Sequence, residues 1–141
     1  MSTPVFVDTS AIYAVLDADD VNHESASRAF QQLLNGVETD DIEAVTHGSV
    51  IVETVALAQR RLGMEAVKVV VDDLIPLFST VWVDQDLHDR ATAAMLAAGL
   101  RGVSLVDWTS FEIMRRRAIE LAFAFDDHFQ SRGFASFADA R

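Results

Sequence analysis

Residues 5–10, with the sequence VFVDTS, give the strongest indication of how this chain folds. It places three apolar residues directly before Asp8, and the segment from Thr9 to Asp17 that follows has helical character. A short, continuous apolar run is typical of a strand buried on both faces, as in a parallel sheet. A second run of this kind, Ala122–Phe125, directly precedes Asp126. The two runs predict two strands of one sheet, each followed by a carboxylate.

Segments of strand and helix character alternate between these two runs. Further strands are predicted at 44–46 and 80–83, the last at 121–125, and helices at 49–62, 65–74, 86–98 and 104–119. Asn22 is a predicted N-cap for an early helix, with Asn35-Gly36 as its stop. This alternation predicts an α/β fold with a mainly parallel central sheet covered by helices on both faces. Residues 1–141 have the length of one domain.

Composition limits the class of protein. Half of the residues are hydrophobic and no cysteine is present, so a disulfide framework and a zinc–thiolate site are excluded. The first residues carry no basic region of a signal peptide, and no apolar run approaches the roughly 20 residues that span a bilayer. We therefore expect a soluble cytoplasmic protein without membrane contact. The net charge of −11 argues against broad electrostatic attraction to nucleic acid.

Two strand-end aspartates are the first candidates for a functional site. Ligands of open α/β sheets bind beyond the carboxyl ends of the strands, where Asp8 and Asp126 are expected. The alternative is that each aspartate merely caps the helix that follows it. Asp84 follows the strand Val81-Trp82-Val83 in the same local context, and we assign it a capping role only.

Two further acids lie on predicted helices. Asp107 could complete a capping box with Ser104, but it also heads an apolar stripe through Phe111 and Met114. Glu53 lies in the middle of a helix, where capping cannot explain it, and a partly buried ion pair with Arg60 or Arg61 is the alternative. Two carboxylates 4 Å apart repel each other by about 4 kcal/mol at an effective dielectric constant near 20. Four converging acids therefore suggest a hard cation, Mg²⁺ or Mn²⁺, and chemistry on phosphate.

The order of these motifs resembles the PIN-domain ribonucleases, and more closely the VapC-type toxins of bacterial toxin–antitoxin pairs. The similarity rests on FVDTS at 6–10, Glu53 on a middle helix, VSLVDWTSF at 103–111, and AFAFDDHF at 122–129 with a Gly-Phe pair behind it. It covers almost the whole chain. The resemblance implies a PIN-like three-layer sandwich and a Mg²⁺- or Mn²⁺-dependent endoribonuclease.

The resemblance also assigns roles to residues and partners. It implies that Asp8, Glu53, Asp107 and Asp126 bind the metal, that Ser10 supports the first acid, and that Asp127 is a less certain neighbour. It further implies an RNA substrate, a cognate antitoxin and a homodimer. Because the pocket and the chain are acidic, we expect the antitoxin to reach the site with a basic segment. The main alternative is a PIN-like module that has lost catalysis and only binds a protein partner.

Other residues have simpler interpretations. The basic run Arg115–Arg117 could meet RNA phosphates or complement the helix dipole. His128 is expected to be a solvated turn residue rather than a ligand, and Trp82 and Trp108 are expected in or near the core. A phosphotransfer site of the receiver type is disfavoured because the only lysine, Lys68, lies in a predicted helix. The haloacid-phosphatase type is disfavoured because the first strand is followed by Asp8-Thr9-Ser10 and not by an Asp-x-Asp motif.

Overall fold

The computed structural model describes residues 1–138, and within them five strands form one fully parallel sheet in the order β3-β2-β1-β4-β5. The strands are β1 (Thr3–Val7), β2 (Ile42–His47), β3 (Ser79–Val81), β4 (Leu121–Phe123) and β5 (Ala135–Ser136). The helices are α1 (Thr9–Leu16), α2 (His23–Glu38), α3 (Gly48–Arg61), α4 (Met64–Lys68), α5 (Gln85–Ala98), α6 (Leu105–Arg116) and α7 (His128–Ser131). The predicted α/β fold with helices flanking a parallel sheet is confirmed.

The centre of the sheet is β1, which explains why its sequence is uniformly apolar. Val5, Phe6 and Val7 are fully buried, because β2 and β4 pair with β1 on its two sides and helices cover both faces. Val7 lies opposite Phe123 in the register of β1 and β4. The carboxyl ends of these two strands therefore lie side by side, and the residues that follow them meet at one edge of the sheet.

Several predicted helix boundaries were wrong. Helix α2 does not stop at Asn35-Gly36 but continues to Glu38, because Gly36 is buried and lets the helix lie directly on the side chain of Ile42. A side chain at position 36 would collide with Ile42, so this glycine serves close packing rather than helix termination. The predicted helix at 65–74 is α4 followed by a π-helical turn, Val69–Leu74.

The last third of the chain also differs from the prediction. Strand β4 ends at Phe123, two residues early, and α6 ends at Arg116, after which Ala118 adopts a left-handed backbone with φ of 54°. The two-residue strand β5 was not predicted; it is held by backbone hydrogen bonds from Ala135 to Glu120 and from Phe137 to Ala122, both 2.9 Å long.

The two tryptophans have different environments. Trp108 is buried, as expected, but Trp82 is 69% exposed, so its predicted place in or near the core was wrong. The ring of Trp82 instead lies over Gly48, where an added Cβ would be 2.6 Å from the ring. No helix among the described residues 1–138 is long and apolar enough to cross a membrane.

Candidate active site

Asp8 follows β1, is almost completely buried and forms the N-cap of α1. Its Oδ2 accepts hydrogen bonds from the backbone N–H of Ser10 at 3.2 Å and from the Ser10 hydroxyl at 2.7 Å. Its own backbone N–H donates to the carbonyl of Phe123 at 3.0 Å, which joins it to the end of β4. Only 3% of Asp8 is exposed. The capping role and a role in the site are therefore combined in one residue.

Ser10 joins the two strand ends. While its hydroxyl donates to Asp8, the same oxygen accepts a 2.9 Å hydrogen bond from the backbone N–H of Phe125. Phe125 is the residue before Asp126, so Ser10 fixes the distance between the segments that carry the first and the last acid. The supporting role of Ser10 that the family resemblance implied stays a prediction, and these hydrogen bonds are compatible with it.

Asp107 enters the same region from the first turn of α6. The Ser104 hydroxyl accepts a hydrogen bond from its backbone N–H at 3.1 Å, so the predicted N-cap is present. The Asp107 carboxylate is directed away from this cap, since its Oδ2 lies 2.8 Å from Nδ1 of His128. Asp107 is 8% exposed, and Phe111 and Met114 on the same stripe are fully buried.

Three aromatic side chains align the elements that carry these residues. Phe6 of β1 stacks on Phe129 of α7 with ring centroids 5.9 Å apart, and Phe111 of α6 meets Phe129 edge-on at 5.1 Å. Such ring pairs contribute about 0.5–1.5 kcal/mol each beyond the burial of their area. Because Asp8 lies two residues after Phe6, Asp107 one turn before Phe111, and His128 next to Phe129, this packing brings the three polar side chains together.

Asp126 and His128 occupy one tight turn. Oδ1 of Asp126 accepts a hydrogen bond from the His128 backbone N–H at 3.1 Å, and Nδ1 of His128 lies 3.8 Å from the same oxygen. Single ligand atoms of Asp107, Asp126 and His128 all lie within 4.8 Å of one another. The expectation that His128 is only a solvated turn residue was therefore wrong, because its imidazole belongs to the acidic cluster.

Glu53 reaches the site from α3 but is less buried than predicted. It is exposed, whereas its predicted companion Val50 is fully buried, so Glu53 lies at the border of the apolar stripe rather than on it. The helix is positioned against α1 by buried hydroxyls: Thr54 donates to Thr9 at 3.1 Å. Within residues 1–138 Glu53 forms no ion pair with Arg60 or Arg61, which disfavours the simple ion-pair interpretation.

One cavity of about 510 Å³ contains all four predicted acids. Its wall is formed by twelve residues, which are Asp8, Thr9, Ser10, Glu53, Ala56, Leu57, Arg60, Gly102, Ser104, Asp107, Asp126 and His128. Asp127 is not among them; it is exposed and directly precedes α7, and its role as a neighbour stays a prediction. The structure thus brings together the acids that the sequence placed on two strand ends and two helices.

Burial, together with repulsion between carboxylates, raises the pKa of two acids of this cavity, Asp8 and Asp126. Burial raises the pKa of Asp8 from 3.8 to about 7, with smaller contributions in the same direction from Asp126 and Asp107, while hydrogen bonds from Ser10 oppose the shift. Burial also raises the pKa of Asp126, followed by repulsion from Asp107, and its hydrogen bond from His128 acts in the opposite direction. The site therefore holds excess negative charge that its own hydrogen bonds do not offset.

A divalent cation fits this donor set. Among residues 1–138 no lysine or arginine pairs with Asp8, Asp107 or Asp126, and the basic side chain beside them is the imidazole of His128. Carboxylate oxygens from several elements are the ligands of Mg²⁺ and Mn²⁺ in proteins. The chemistry of the cluster thus agrees with the metal site predicted from the sequence.

Two side chains of the cavity wall that can bind ligands, those of His128 and Arg60, were not assigned to the site from the sequence. His128 offered only a weak signal, its place two residues after Asp126, where one turn can present both side chains but does not have to. Arg60 could have been recognised because it lies seven residues after Glu53, on the same helix face. The run Arg115–Arg117 is not part of the cavity, and Arg116 is instead held by Asp86 at 2.7 Å and Glu112 at 3.4 Å.

A parallel α/β sheet with a converging set of acids beyond the ends of its central strands is the architecture of a PIN domain. A match to the PIN domain extends over residues 5–135, and the chain therefore belongs to the PIN-domain family. Among curated proteins it is similar to the 23S rRNA-specific endonuclease VapC20 of Mycobacterium tuberculosis. The two are 35% identical over 133 residues, which cover 92% of this chain and 95% of VapC20. The resemblance to VapC-type toxins is confirmed.

Solved structures agree with this assignment. The crystal structure of M. tuberculosis VapC20, described as a sarcin-ricin loop cleaving toxin, matches with a TM-score of 0.80 and 30% identity, over 93% of this chain and 96% of that one. The crystal structure of FitAcB from Neisseria gonorrhoeae matches with a TM-score of 0.67 over 94% and 96% of the two chains. At 13% identity the second match shows the shared fold alone.

Proposed function

We propose that this protein is a Mg²⁺- or Mn²⁺-dependent endoribonuclease that hydrolyses RNA phosphodiester bonds as the toxin of a type II toxin–antitoxin pair. The observation that carries the proposal is the convergence of Asp8, Glu53, Asp107 and Asp126 on one cavity. The endonuclease activity named for its relative VapC20, with which it shares 35% of aligned residues, supports the choice of RNA as the substrate. The cytoplasm is the proposed location, since RNA substrates are found there.

Each side chain of the cavity has a proposed task. The four acids would hold the ion, which when bound polarises phosphoryl oxygens and lowers the pKa of water. Ser10 keeps the Asp8 carboxylate fixed through its two hydrogen bonds. Arg60 lies on the wall of the cavity and carries a guanidinium group that can bind a phosphate next to the cleaved bond. The acidity of the rest of the chain makes this local positive charge important for substrate binding.

An RNA-cleavage assay with and without metal tests the proposal. Purified protein should cleave RNA with Mg²⁺ or Mn²⁺, lose this activity with EDTA, and regain it when the metal is restored. Asp8→Asn should be inactive, while Asp84→Asn should remain active, because Asp84 only caps α5 through its bond to Leu87 at 2.9 Å. Cleavage by well-folded Asp8→Asn at the rate of the unaltered protein would exclude Asp8 from the reaction.

The antitoxin is proposed to inhibit by placing a basic group in the acidic cavity. An arginine or lysine there would compete with the metal for the same carboxylates and relieve their mutual repulsion. Binding of the protein from the neighbouring reading frame should therefore weaken Mn²⁺ binding and raise the melting temperature. An antitoxin complex that binds Mn²⁺ as tightly as the free protein does would contradict this mode of inhibition. The proposed homodimer is checked by light scattering of the purified protein.

The alternative is a PIN-like module that binds a partner without catalysis. Buried carboxylates cost stability, and a module without catalysis would have no use for them. Asp8 and Asp107 are nevertheless buried in this cavity. The two functions are separated by the same assay: a protein that binds the antitoxin but neither binds metal nor cleaves RNA would be the module.

A further inference from the structure

His128 occupies a position in the cluster that an acid or a neutral side chain could equally have filled. It is the first residue of α7, and the buried ring of Phe129 behind it fixes that helix against β1 and α6. The His128 side chain is 34% exposed, and Nδ1 is the ring atom that faces the carboxylates. Nδ1 of the imidazole therefore contacts the carboxylates, while the ring stays partly exposed to the cavity.

The spacing of the three donor atoms corresponds to ligands of one ion. Donors about 2.1 Å from an octahedral ion lie about 3.0 Å apart when adjacent and about 4.2 Å apart when opposite. The Nδ1 atom of His128 lies 2.8 Å from Asp107 Oδ2 and 3.8 Å from Asp126 Oδ1, and the complete set fits within 4.8 Å. The limit of 4.8 Å exceeds the opposite-ligand distance by about 0.6 Å, so the side chains would have to move together by this amount at most for all three to bind one ion.

We propose that His128 contributes an imidazole nitrogen to the ion held by Asp107 and Asp126, and that this mixed donor set favours first-row transition-metal ions over Mg²⁺. The inference rests on the proposed metal site and specifies its selectivity. Mg²⁺ prefers oxygen ligands and retains its waters, whereas imidazole nitrogen suits the transition metals. Coordination requires the lone pair on Nδ1, with the ring proton on Nε2.

The competing arrangement keeps His128 outside the coordination shell. There Nδ1–H would donate a hydrogen bond to Asp107 and only orient this carboxylate, as outer partners of metal ligands commonly do. Loss of metal affinity after mutation cannot separate the two arrangements, because removal of an outer partner also costs about 10–100-fold in affinity. A readout that detects the metal–nitrogen bond itself is required.

Pulsed electron paramagnetic resonance of the tag-free protein with bound Mn²⁺ provides this readout. A directly bound imidazole gives a ¹⁴N coupling to the Mn²⁺ electron spin. We expect this coupling in the unaltered protein, its loss in His128→Asn, and its retention in His88→Asn, which replaces an exposed histidine on α5. Calorimetric titration should show the ratio of Mn²⁺ to Mg²⁺ affinity falling at least about tenfold in His128→Asn.

The spectrum of the unaltered protein decides the question even if a variant fails to fold. Bound Mn²⁺ without ¹⁴N coupling would overturn the inference, as would an unchanged affinity ratio in folded His128→Asn. If RNA is still cleaved in the presence of Mn²⁺, such a result removes only the histidine ligand and leaves the proposed nuclease in place. Failure of Mn²⁺ to bind, together with absent cleavage, would overturn both.

Discussion

Replacing Asp8 with asparagine should stabilise the metal-free protein at pH 8 while it abolishes RNA cleavage. The carboxylate is buried beside Asp126 and Asp107, and its ionised form is therefore disfavoured in the folded state. Asparagine has almost the same shape, and its carbonyl oxygen can still accept the two hydrogen bonds from Ser10. The substitution thus removes a buried charge and keeps the packing.

The size of the effect follows from the pKa of Asp8. A rise from 3.8 to about 7 in the folded state corresponds to about 4 kcal/mol, at 1.36 kcal/mol for each pKa unit. Between these two pH values the folded state binds more protons than the unfolded chain, so the free energy of unfolding decreases as the pH rises. The unaltered protein should lose up to about 4 kcal/mol over this interval through Asp8, and Asp8→Asn should not.

Urea unfolding in EDTA at pH 4.5, 6 and 8 measures this difference. The stability gap between Asp8→Asn and the unaltered protein should be small at pH 4.5 and should widen to a few kcal/mol at pH 8. Asp84→Asn is the matched control and should show no such trend, because asparagine caps helices well. A gap that does not depend on pH, or a variant less stable than the unaltered protein at pH 8, would refute the reasoning.

Three further predictions concern His47, Ala118 and Arg60. Burial lowers the pKa of His47 from 6.5 to about 4, so the neutral imidazole stabilises the fold fully above pH 6.5. The free energy of unfolding should therefore fall by about 3 kcal/mol through His47 as the pH drops to 4. Denaturation curves of His47→Gln should lack this loss, and an equal loss in the variant would refute the prediction. Ala118→Gly should raise the free energy of unfolding by about 0.5–1 kcal/mol, because φ of 54° suits glycine; a less stable variant in urea would show that the turn is not strained. Arg60→Gln should raise KM for RNA with kcat little changed, and the slope of RNA affinity against salt concentration should fall by the amount of about one phosphate contact. An unchanged KM would show that Arg60 does not bind an RNA phosphate.

The central part of the fold was predictable because its signals are local. The uniform apolar run before Asp8 could only be a buried strand, and the cap at Ser104 and the cap at Asp84 follow from side-chain chemistry within one helical turn. Gly36 shows where this reasoning fails. Its sequence resembles a helix stop, but its role is set by Ile42 of the next strand, a contact that no local pattern contains.

The four acids of the candidate site could be predicted from the sequence, but one of the residues beside them could not. The acids were found because carboxylates at strand ends and on apolar stripes need an explanation, and their convergence on one cavity agrees with that argument. The position of His128 was not predictable from its neighbours, because a polar turn residue close to Asp126 is commonly solvated. Only the packing of Phe129 against Phe6 and Phe111 turns this imidazole toward Asp107.

The hydrogen bond between Ser10 and Phe125 has a consequence for biosynthesis. It joins residues 115 positions apart in the chain, and β1 and β4, neighbours in the sheet, are similarly distant in sequence. Contacts of such long range form slowly, because the entropy of closing a long loop must be lost before the contact stabilises the chain. A ribosome that has made the first 120 residues has produced Asp8, Glu53 and Asp107 but neither Asp126 nor the strand that brings it to them. A chain terminated before residue 121 would therefore lack Asp126, and the cluster of four acids can be complete only after the segment with β4 and α7 has been made.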